Sequence, residues 1–279
     1  MQLFWLAATF VLGSMIGSFL NVCIYRLPRE KSPVRPMRSY CPHCHEPIAW
    51  YDNIPLVSYF VLGAQCRHCG SNISVRYVLV EFLTALIFAL TYAVLSSRDE
   101  SVPVLAIYLA LMGMLILASF IDLELRIIPN SVTIGGMLLA PVLSVLVPQL
   151  HDREVMGRTY MFSQDNILGP LAACLMGMVI GAAATAAAGV IGKLMFRREA
   201  MGFGDVKFMA ALGGFLGWQQ VLLIFFTAPL LGAVVGVIHL VRTREHHIPY
   251  GPFLSIAAVV TMLWADKIFS AIGLTKLMT

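Results

Sequence analysis

Two aspartates combine a position beside a long apolar run with a side chain that can transfer protons. Asp122 follows the apolar run 111–121, and Asp205 lies in Met201-Gly-Phe-Gly-Asp-Val-Lys207, at the entrance of another apolar run. An ionisable group at the edge of a membrane-length apolar segment is costly unless it is paired or hydrated, so it indicates a functional site by default. We therefore expect both carboxyl groups at helix ends, at a similar depth.

Such a pair can perform acid–base catalysis. Charge repulsion and the removal of water keep one carboxyl protonated while the other is ionised. The ionised group takes a proton from a water that attacks a peptide carbonyl, and the protonated group polarises that carbonyl. The sequence shows no rival Ser-His-Asp arrangement and no HExxH motif. The alternative is that the two aspartates are helix caps, or form ion pairs with Arg126 and Lys207.

Four further residues are candidates for the same site. Gly202, Gly204 and Lys207 neighbour Asp205, and Glu81 is distant in the sequence. Gly202 and Gly204 permit a tight, non-helical approach of the backbone to a bound chain, and they favour chemistry over capping. Lys207 either biases the site electrostatically or extends to the lipid headgroups. Glu81 either serves the same site or pairs with Arg76, and the sequence favours neither role.

Four of the six cysteines form a second cluster with a chemical signature. They occur as Cys41-Pro-His-Cys44 and Cys66-Arg-His-Cys69, separated by a short polar loop. Two CxxC pairs at this spacing predict a structural Zn²⁺ site of four thiolates, which leaves no open coordination position for catalysis. A metal would also supply the folding energy of a loop too small to bury a core. The alternative is four unrelated or redox-active thiols.

The composition shows which elements must position these residues. The chain of 279 residues is 59% hydrophobic and 12% charged, whereas soluble proteins are about half apolar and about a quarter charged. This excludes a soluble globular enzyme, a disordered chain and a secreted disulfide scaffold. The net charge of +4 is too small to indicate a nucleic-acid partner. The remaining class is an all-α, polytopic protein of the lipid bilayer.

About eight transmembrane helices are predicted from the apolar runs. They cover approximately residues 3–25, 77–96, 102–121, 129–148, 167–192, 205–217, 220–241 and 250–273. The predicted domains are a first transmembrane helix at 1–25, a cytoplasmic tetracysteine loop at 26–76 and a transmembrane peptidase core at 77–279. The first helix lacks the basic start and the cleavage site of a signal peptide, so we expect it to remain on the mature protein.

The distribution of basic residues predicts the orientation. Connections on one side of the predicted spans carry 14 of the lysines and arginines, and those on the other side carry 5. Because basic residues mark the cytoplasmic face, both aspartates and all four clustered cysteines are predicted there. Both termini are predicted on the opposite side.

Six motifs, in order along nearly the whole chain, resemble the type IV prepilin peptidases, which are bifunctional leader peptidases and N-methyltransferases of the bacterial inner membrane. The motifs are Gly17-Ser-Phe-Leu-Asn-Val22 with Ile24-Tyr-Arg-Leu-Pro28; Cys41 through Asp52-Asn-Ile-Pro55 to Cys66-Arg-His-Cys69; Arg76-Tyr77 with Val80-Glu81; Asp122 with Ile128-Pro129-Asn130; Gly202-Phe-Gly-Asp-Val-Lys207; and Ile248-Pro-Tyr-Gly-Pro252. Val78 departs from the family pattern, in which a proline is common.

The resemblance implies an aspartic membrane protease of the GxGD class, with Asp122 and Asp205 as its catalytic pair. The implied substrates are type IV prepilins and pseudopilins, cut after a glycine at the cytoplasmic boundary of their hydrophobic segment. The resemblance also implies methylation of the new N-terminal amine with S-adenosylmethionine as the donor. The sequence specifies neither the donor's binding residues nor the oligomeric state, nor a role in pili, secretion or DNA uptake.

Three other classes compete with this interpretation. A proton-coupled transporter would place its carboxylates near the bilayer midplane and would usually show two related halves. A thiol oxidoreductase would use the CxxC pairs, but these are predicted on the reducing side of the membrane. A non-catalytic assembly scaffold would tolerate the loss of Asp122.

Overall fold

The computed structural model describes residues 1–35, 38–151, 168–197, 201–243 and 249–273. Its helices are α1 Gln2–Arg26, α2 Val57–Val61, α3 Val75–Ser96, α4 Val102–Leu125, α5 Asn130–Leu146, α6 Leu168–Phe196, α7 Phe203–Thr243 and α8 Gly251–Ala271. Over these residues the fold is all-α, as predicted, with three short 3₁₀ turns and two isolated β-bridges. Outside the described residues lie Ile248 of the last motif and several basic residues used for the orientation, namely Arg153, Arg158, Arg198, Arg244 and Lys276.

Within the described ranges, six helices are long and apolar enough to cross a membrane. These are α1, α3, α4, α6, α7 and α8. The apolar helix α5 is shorter, with 17 residues. Gly217 interrupts α7 with φ 80° and ψ 170°, a conformation that glycine adopts without steric cost. This break falls at the last residue of the predicted span 205–217, just before the predicted span 220–241. The difference between eight predicted spans and six long helices therefore comes from α5 and from the break in α7.

The chain forms two compact units, Met1–Leu117 and Ala118–Thr279. In the first unit, α1 packs against α3 through glycines that face its backbone. A Cβ atom at Gly13 would lie 2.7 Å from the Cα of Ala85, and one at Gly17 would lie 2.7 Å from the Cα of Glu81. In lipid, small residues of this kind allow two helix backbones to approach closely. The division at residues 26 and 77 made from the sequence remains a prediction.

In the second unit, α7 contacts α5, α6 and α8. The closest approach joins Gly177 of α6 and Gly213 of α7, because a Cβ atom on either residue would overlap the carbonyl group of the other. The Ser144 hydroxyl of α5 donates a hydrogen bond of 2.6 Å to the carbonyl oxygen of Pro170 in α6. This packing supports the first turn of α7, which carries Asp205.

The glycine contact between α6 and α7 predicts a position-dependent effect of one added methyl group. Gly213→Ala should lower the free energy of unfolding by about 1–3 kcal/mol, because overpacking forces the helices apart. The matched change Gly135→Ala, where no atom lies within 4 Å of the added Cβ, should raise it by about 0.5–1 kcal/mol, because alanine favours the helix. Thermal unfolding in detergent measures both. Equal stability of the two variants would contradict the packing.

Candidate active site and metal centre

Both predicted aspartates belong to the second unit, and each lies at the end of a helix. Asp122 lies in the last turn of α4, and Asp205 lies in the first turn of α7. The Asp122 side chain is buried, with 6% exposure, and Asp205 is half-buried. The two carboxyl groups are close enough to interact electrostatically. The structure thus brings together, over 83 positions of sequence, the pair that the sequence singled out.

The beginning of α8 provides the closest partner of Asp122. The backbone N–H of Gly251 donates a hydrogen bond of 2.8 Å to Oδ2 of Asp122. A Cβ atom at Gly251 would lie 2.8 Å from the same oxygen, so a side chain here would displace the carboxylate. Gly251 is the first residue of α8, and the N-terminus of a helix favours a negative charge. Sequence reasoning missed this contact, although the glycine belongs to the last motif.

The glycine turn before α7 holds the second aspartate. Gly202 N–H donates to Oδ2 of Asp205 over 3.1 Å, and the backbone N–H of Asp205 donates to the carbonyl of Gly202 over 3.1 Å. Asp205 therefore makes a cap-like contact, as the alternative interpretation allowed. A Cβ atom at Gly204 would lie 3.5 Å from the Cβ of Ile128, so this turn packs against the connection that follows α4.

Ion pairing does not explain the two aspartates. Among the described residues, neither carboxyl group forms a salt bridge with Arg126 or Lys207. The Lys207 amine instead donates a hydrogen bond of 2.9 Å to Oδ1 of Asn130. This bond connects the start of α7 to the start of α5, and it braces the glycine turn. The two roles predicted for Lys207 from the sequence remain predictions.

Tyr250 is a further polar residue at this site that sequence reasoning did not identify. It directly precedes Gly251 and is half-buried. Burial and the negative charge of Asp205 raise the pKa of the Tyr250 phenol to about 12. The phenol is therefore protonated at neutral pH, so it offers a hydroxyl donor beside the aspartates. The signal available in the sequence was its place in the segment Pro249-Tyr-Gly-Pro252.

The four clustered cysteines form one metal-binding geometry in the first unit. The Sγ atoms of Cys41, Cys44, Cys66 and Cys69 all lie within 4.8 Å of one another, and those of Cys41 and Cys69 are 3.9 Å apart. A tetrahedral ion with metal–sulfur bonds of about 2.3 Å separates its sulfur ligands by about 3.8 Å. The cluster therefore fits a four-thiolate metal site.

Both CxxC segments are folded in the same way. The residue after each second cysteine has a positive φ, 59° at His45 and 68° at Gly70. In each segment, its N–H donates to the carbonyl of the first cysteine, over 2.9 Å in both cases. A β-bridge closes each turn, Tyr40 with Pro47 and Gln65 with Asn72. Two equivalent turns present four thiols to one point, as two metal-binding knuckles do.

An exposed ion pair connects the second knuckle to the preceding loop. Arg67 donates two hydrogen bonds, of 2.8 and 2.6 Å, to the two carboxylate oxygens of Asp52. The Arg67 guanidinium lowers the pKa of the Asp52 carboxyl through these hydrogen bonds. Two parallel bonds of this kind fix orientation as well as distance.

Glu81 lies in the first unit, on α3. Its Oε2 atom accepts a hydrogen bond of 2.7 Å from the backbone N–H of Leu56, and the side chain is 9% exposed. The described residues show no salt bridge between Glu81 and Arg76. A role at the aspartate site, the other reading of the sequence, remains a prediction.

The fold and these two sites define a multi-pass membrane protein with a paired-aspartate site and a tetracysteine centre. The family described as "Bacterial Peptidase A24 N-terminal domain" matches residues 11–95. The family described as "Type IV leader peptidase family" matches residues 109–237.

Three relatives share the printed name "Prepilin leader peptidase/N-methyltransferase". The chain is 35% identical to that of Aeromonas hydrophila over 95% of this chain and 93% of the relative. It is 40% identical to that of Myxococcus xanthus over 84% of this chain, although the match spans 63% of that relative's length. Identity to the Pseudomonas aeruginosa protein is 32%, over 93% of this chain and 90% of the relative. No solved structure gives a significant match.

The chain therefore belongs to the type IV leader peptidase family, and the resemblance inferred from its motifs is confirmed. Membership makes it an enzyme of a peptidase family in a multi-pass membrane fold. The roles of its individual residues rest on the geometry described above.

The tetracysteine geometry predicts one bound metal ion per chain. Cys41→Ser should remove most of that ion, because a hydroxyl is a poor replacement for a thiolate in a four-sulfur site. The matched control is Cys174→Ser, since Cys174 is a free cysteine buried in α6. Elemental analysis of the purified protein counts the ions. Equal metal content in the two variants would contradict the site.

Proposed function

We propose that this protein removes the leader peptides of type IV prepilins and pseudopilins, with Asp122 and Asp205 as the reacting pair. The observation that carries the proposal is that two carboxyl groups at separate helix ends lie within electrostatic range of each other, each held by a backbone N–H donor. Family membership supports peptide hydrolysis, and the printed names of the relatives support prepilins as the substrates and N-methylation as a second activity.

The hydrogen bonds around the pair suggest how each carboxyl works. Gly251 N–H occupies Oδ2 of Asp122, and Gly202 N–H occupies Oδ2 of Asp205. No hydrogen bond within the described residues occupies Oδ1 of either aspartate, so each keeps that atom for water or for the substrate. The ionised partner takes a proton from the attacking water, and the protonated partner donates a hydrogen bond to the carbonyl oxygen. The general-base and general-acid roles are not assigned to either residue.

Breakdown of the tetrahedral intermediate completes the proposed hydrolysis. The carbon–nitrogen bond breaks as the departing amine takes a proton from the carboxyl that received one from water. The Tyr250 hydroxyl, protonated at neutral pH because its pKa is about 12, is a donor for the developing oxyanion. The carboxyl groups then return to their starting protonation states for the next cycle.

The proposed topology places this chemistry at the cytoplasmic boundary of the bacterial inner membrane. Prepilins present a leader peptide on that side, before the hydrophobic segment that stays in the bilayer. The excess of basic residues in the connections around Asp122 and Asp205 supports this orientation. The Gly202 and Gly204 turn leaves room for the extended backbone of a substrate chain.

The proposed cofactors are Zn²⁺ and S-adenosylmethionine. Four thiolates within 4.8 Å of one another are the ligand set of a structural zinc site, which cross-links a loop and leaves no open position for catalysis. S-adenosylmethionine supplies an electrophilic methyl group to the new N-terminal amine of the processed pilin. Elemental analysis of the wild-type protein identifies the metal.

Replacing either aspartate by asparagine should abolish cleavage with little change in shape. Removal of one proton-transfer group is expected to lower kcat by about 10²–10⁴-fold. Mass spectrometry of a prepilin incubated with the purified enzyme and S-adenosylmethionine measures leader removal and methylation in one spectrum. Unimpaired cleavage by either Asp122→Asn or Asp205→Asn, with wild-type thermal stability, would overturn the two-aspartate mechanism.

Gly251→Ala should impair cleavage by moving Asp122. Its Cβ would meet the Asp122 carboxylate at 2.8 Å, and a misplacement of about 1 Å can lower the rate about 10²-fold. We expect the loss mainly in kcat, because the change affects the reacting group. Gly135→Ala, on α5, is the matched control and should retain the wild-type kcat. A kcat of Gly251→Ala equal to that of the control would argue against this positioning role.

A further inference from the structure

The cysteine loop of the first unit leaves a group of large apolar side chains uncovered. They lie on the 3₁₀ turn Trp50–Asn53, on α2 and on the connection between these two elements. Their exposed fractions range from 41% at Ile54 to 81% at Trp50, and Phe60 is 73% exposed. We name this group the apolar face; its members are Trp50, Tyr51, Ile54, Val57, Phe60 and Val61. Large apolar side chains grouped at a surface mark sites that contact a membrane or another protein.

The apolar face is displayed by a folded scaffold. The Ser58 hydroxyl of α2 accepts a hydrogen bond of 2.9 Å from the N–H of Ile54 and donates one of 3.2 Å to the carbonyl oxygen of Tyr51. Ser58 is buried, so these bonds join α2 to the 3₁₀ turn from the inside. The rings of Trp50 and Tyr51 pack edge to face, with their centroids 5.7 Å apart. Buried polar contacts therefore hold the apolar side chains at the surface.

One hydrogen bond sets the level of the apolar face along α3. The N–H of Leu56, directly before α2, donates to Oε2 of Glu81 over 2.7 Å, and Glu81 lies in the second turn of α3. A side chain on a helix points back toward the N-terminus, so Leu56 lies beside the first two turns of this membrane-length helix. There α3 also exposes Leu79 and Phe82, which are 51% and 48% exposed. The apolar face therefore lies at the level where α3 enters the bilayer.

The same loop begins with a basic segment. Residues 29–38, which follow the end of α1, contain four basic residues and one acidic residue. All four basic side chains are exposed; they are Arg29, Lys31, Arg35 and Arg38. Basic residues next to a membrane-spanning helix attract anionic lipid headgroups. An apolar face with aromatic rings, combined with exposed basic residues, is typical of segments that lie in the membrane surface.

We propose that the apolar face inserts into the surface of the bilayer, with residues 29–38 against anionic phospholipid headgroups. Tryptophan and tyrosine favour the headgroup level, where the ring is buried and its polar atom stays hydrated. A protein partner requires neither the level of the bilayer surface nor a neighbouring basic segment, so these two observations favour lipid. Bilayer contact also fixes the orientation of the second knuckle, because Asp52 of the 3₁₀ turn binds Arg67. This contact depends on neither of the two proposed activities.

Fluorescence quenching tests the depth of Trp50 in the full chain. The protein is reconstituted in nanodiscs of phosphatidylcholine and phosphatidylglycerol, with bromine near the headgroup end of the acyl chains. The difference between the wild type and Trp50→Phe isolates the emission of Trp50 from that of the other tryptophans. Brominated lipid should remove most of this emission, and acrylamide in the water should remove little. Strong quenching by acrylamide with no effect of bromine would overturn the proposal.

Photochemical cross-linking distinguishes a lipid from a protein partner. The variant Phe60→p-benzoylphenylalanine, irradiated in the same nanodiscs with a prepilin present, should gain the mass of one phospholipid. Glu46→p-benzoylphenylalanine is the matched control, because Glu46 is an exposed residue of the same loop outside the apolar face; it should gain none. An adduct with the prepilin or with a second copy of the chain, in place of lipid, would overturn the proposal. Equal lipid labelling at the two positions would also contradict it.

Lipid charge tests the part of the proposal that concerns residues 29–38. Replacing neutral phosphatidylcholine by a mixture with phosphatidylglycerol should slow amide hydrogen exchange of residues 50–61 by about tenfold or more, because several basic residues act on one anionic surface. The double variant Arg35→Gln with Arg38→Gln should lose most of this effect. Lys267→Gln removes an exposed positive charge on α8 and should retain it. Equal exchange of the wild type in the two lipid compositions would overturn the headgroup contact.

Discussion

The hydrogen bond from Gly251 to Asp122 is the contact on which the aspartate site depends. An apolar protein can hold a buried carboxylate only where backbone or side-chain donors satisfy it. The end of α4 offers few such donors, because the carbonyl groups of a helix point toward its C-terminus. The first N–H of α8 supplies the missing donor, at 2.8 Å. Because Gly251 has no side chain, its N–H can approach the Asp122 carboxylate this closely.

The two units hold their functional residues in position by different means. In the second unit, glycines let α6 and α7 approach so closely that their backbones are in contact. This contact between the two helices positions the start of α7 and its aspartate. In the loop of the first unit several large apolar side chains are exposed, among them Trp50 and Phe60, and its two knuckles are instead arranged around four thiols. A metal ion there replaces hydrophobic burial as the source of order. The residue types present in each unit, glycines in one and cysteines in the other, thus determine how its local structure is held together.

Residue types and spacing in the sequence predicted which side chains come together better than they predicted the partners of those side chains. The aspartates and the two CxxC pairs were found because charges and thiols are rare in apolar chains. The break at Gly217 was also anticipated, as the boundary between two spans. The partners were missed because they depend on long-range contacts: Gly251 is 129 residues from Asp122, and Lys207 is 77 residues from Asn130. Contacts between residues so far apart in the sequence leave no local sequence pattern from which they could be predicted.

The hydrogen bonds of the two aspartates also bear on the protonation that the proposed hydrolysis requires. The pair works only when one of its members is protonated, a condition favoured by burial and mutual repulsion. The N–H of Gly251 on Asp122 and the N–H of Gly202 on Asp205 favour the ionised form of the carboxyl group that each contacts. These two influences act in opposite directions, so the state with one ionised and one protonated carboxyl group is the one that both of them allow.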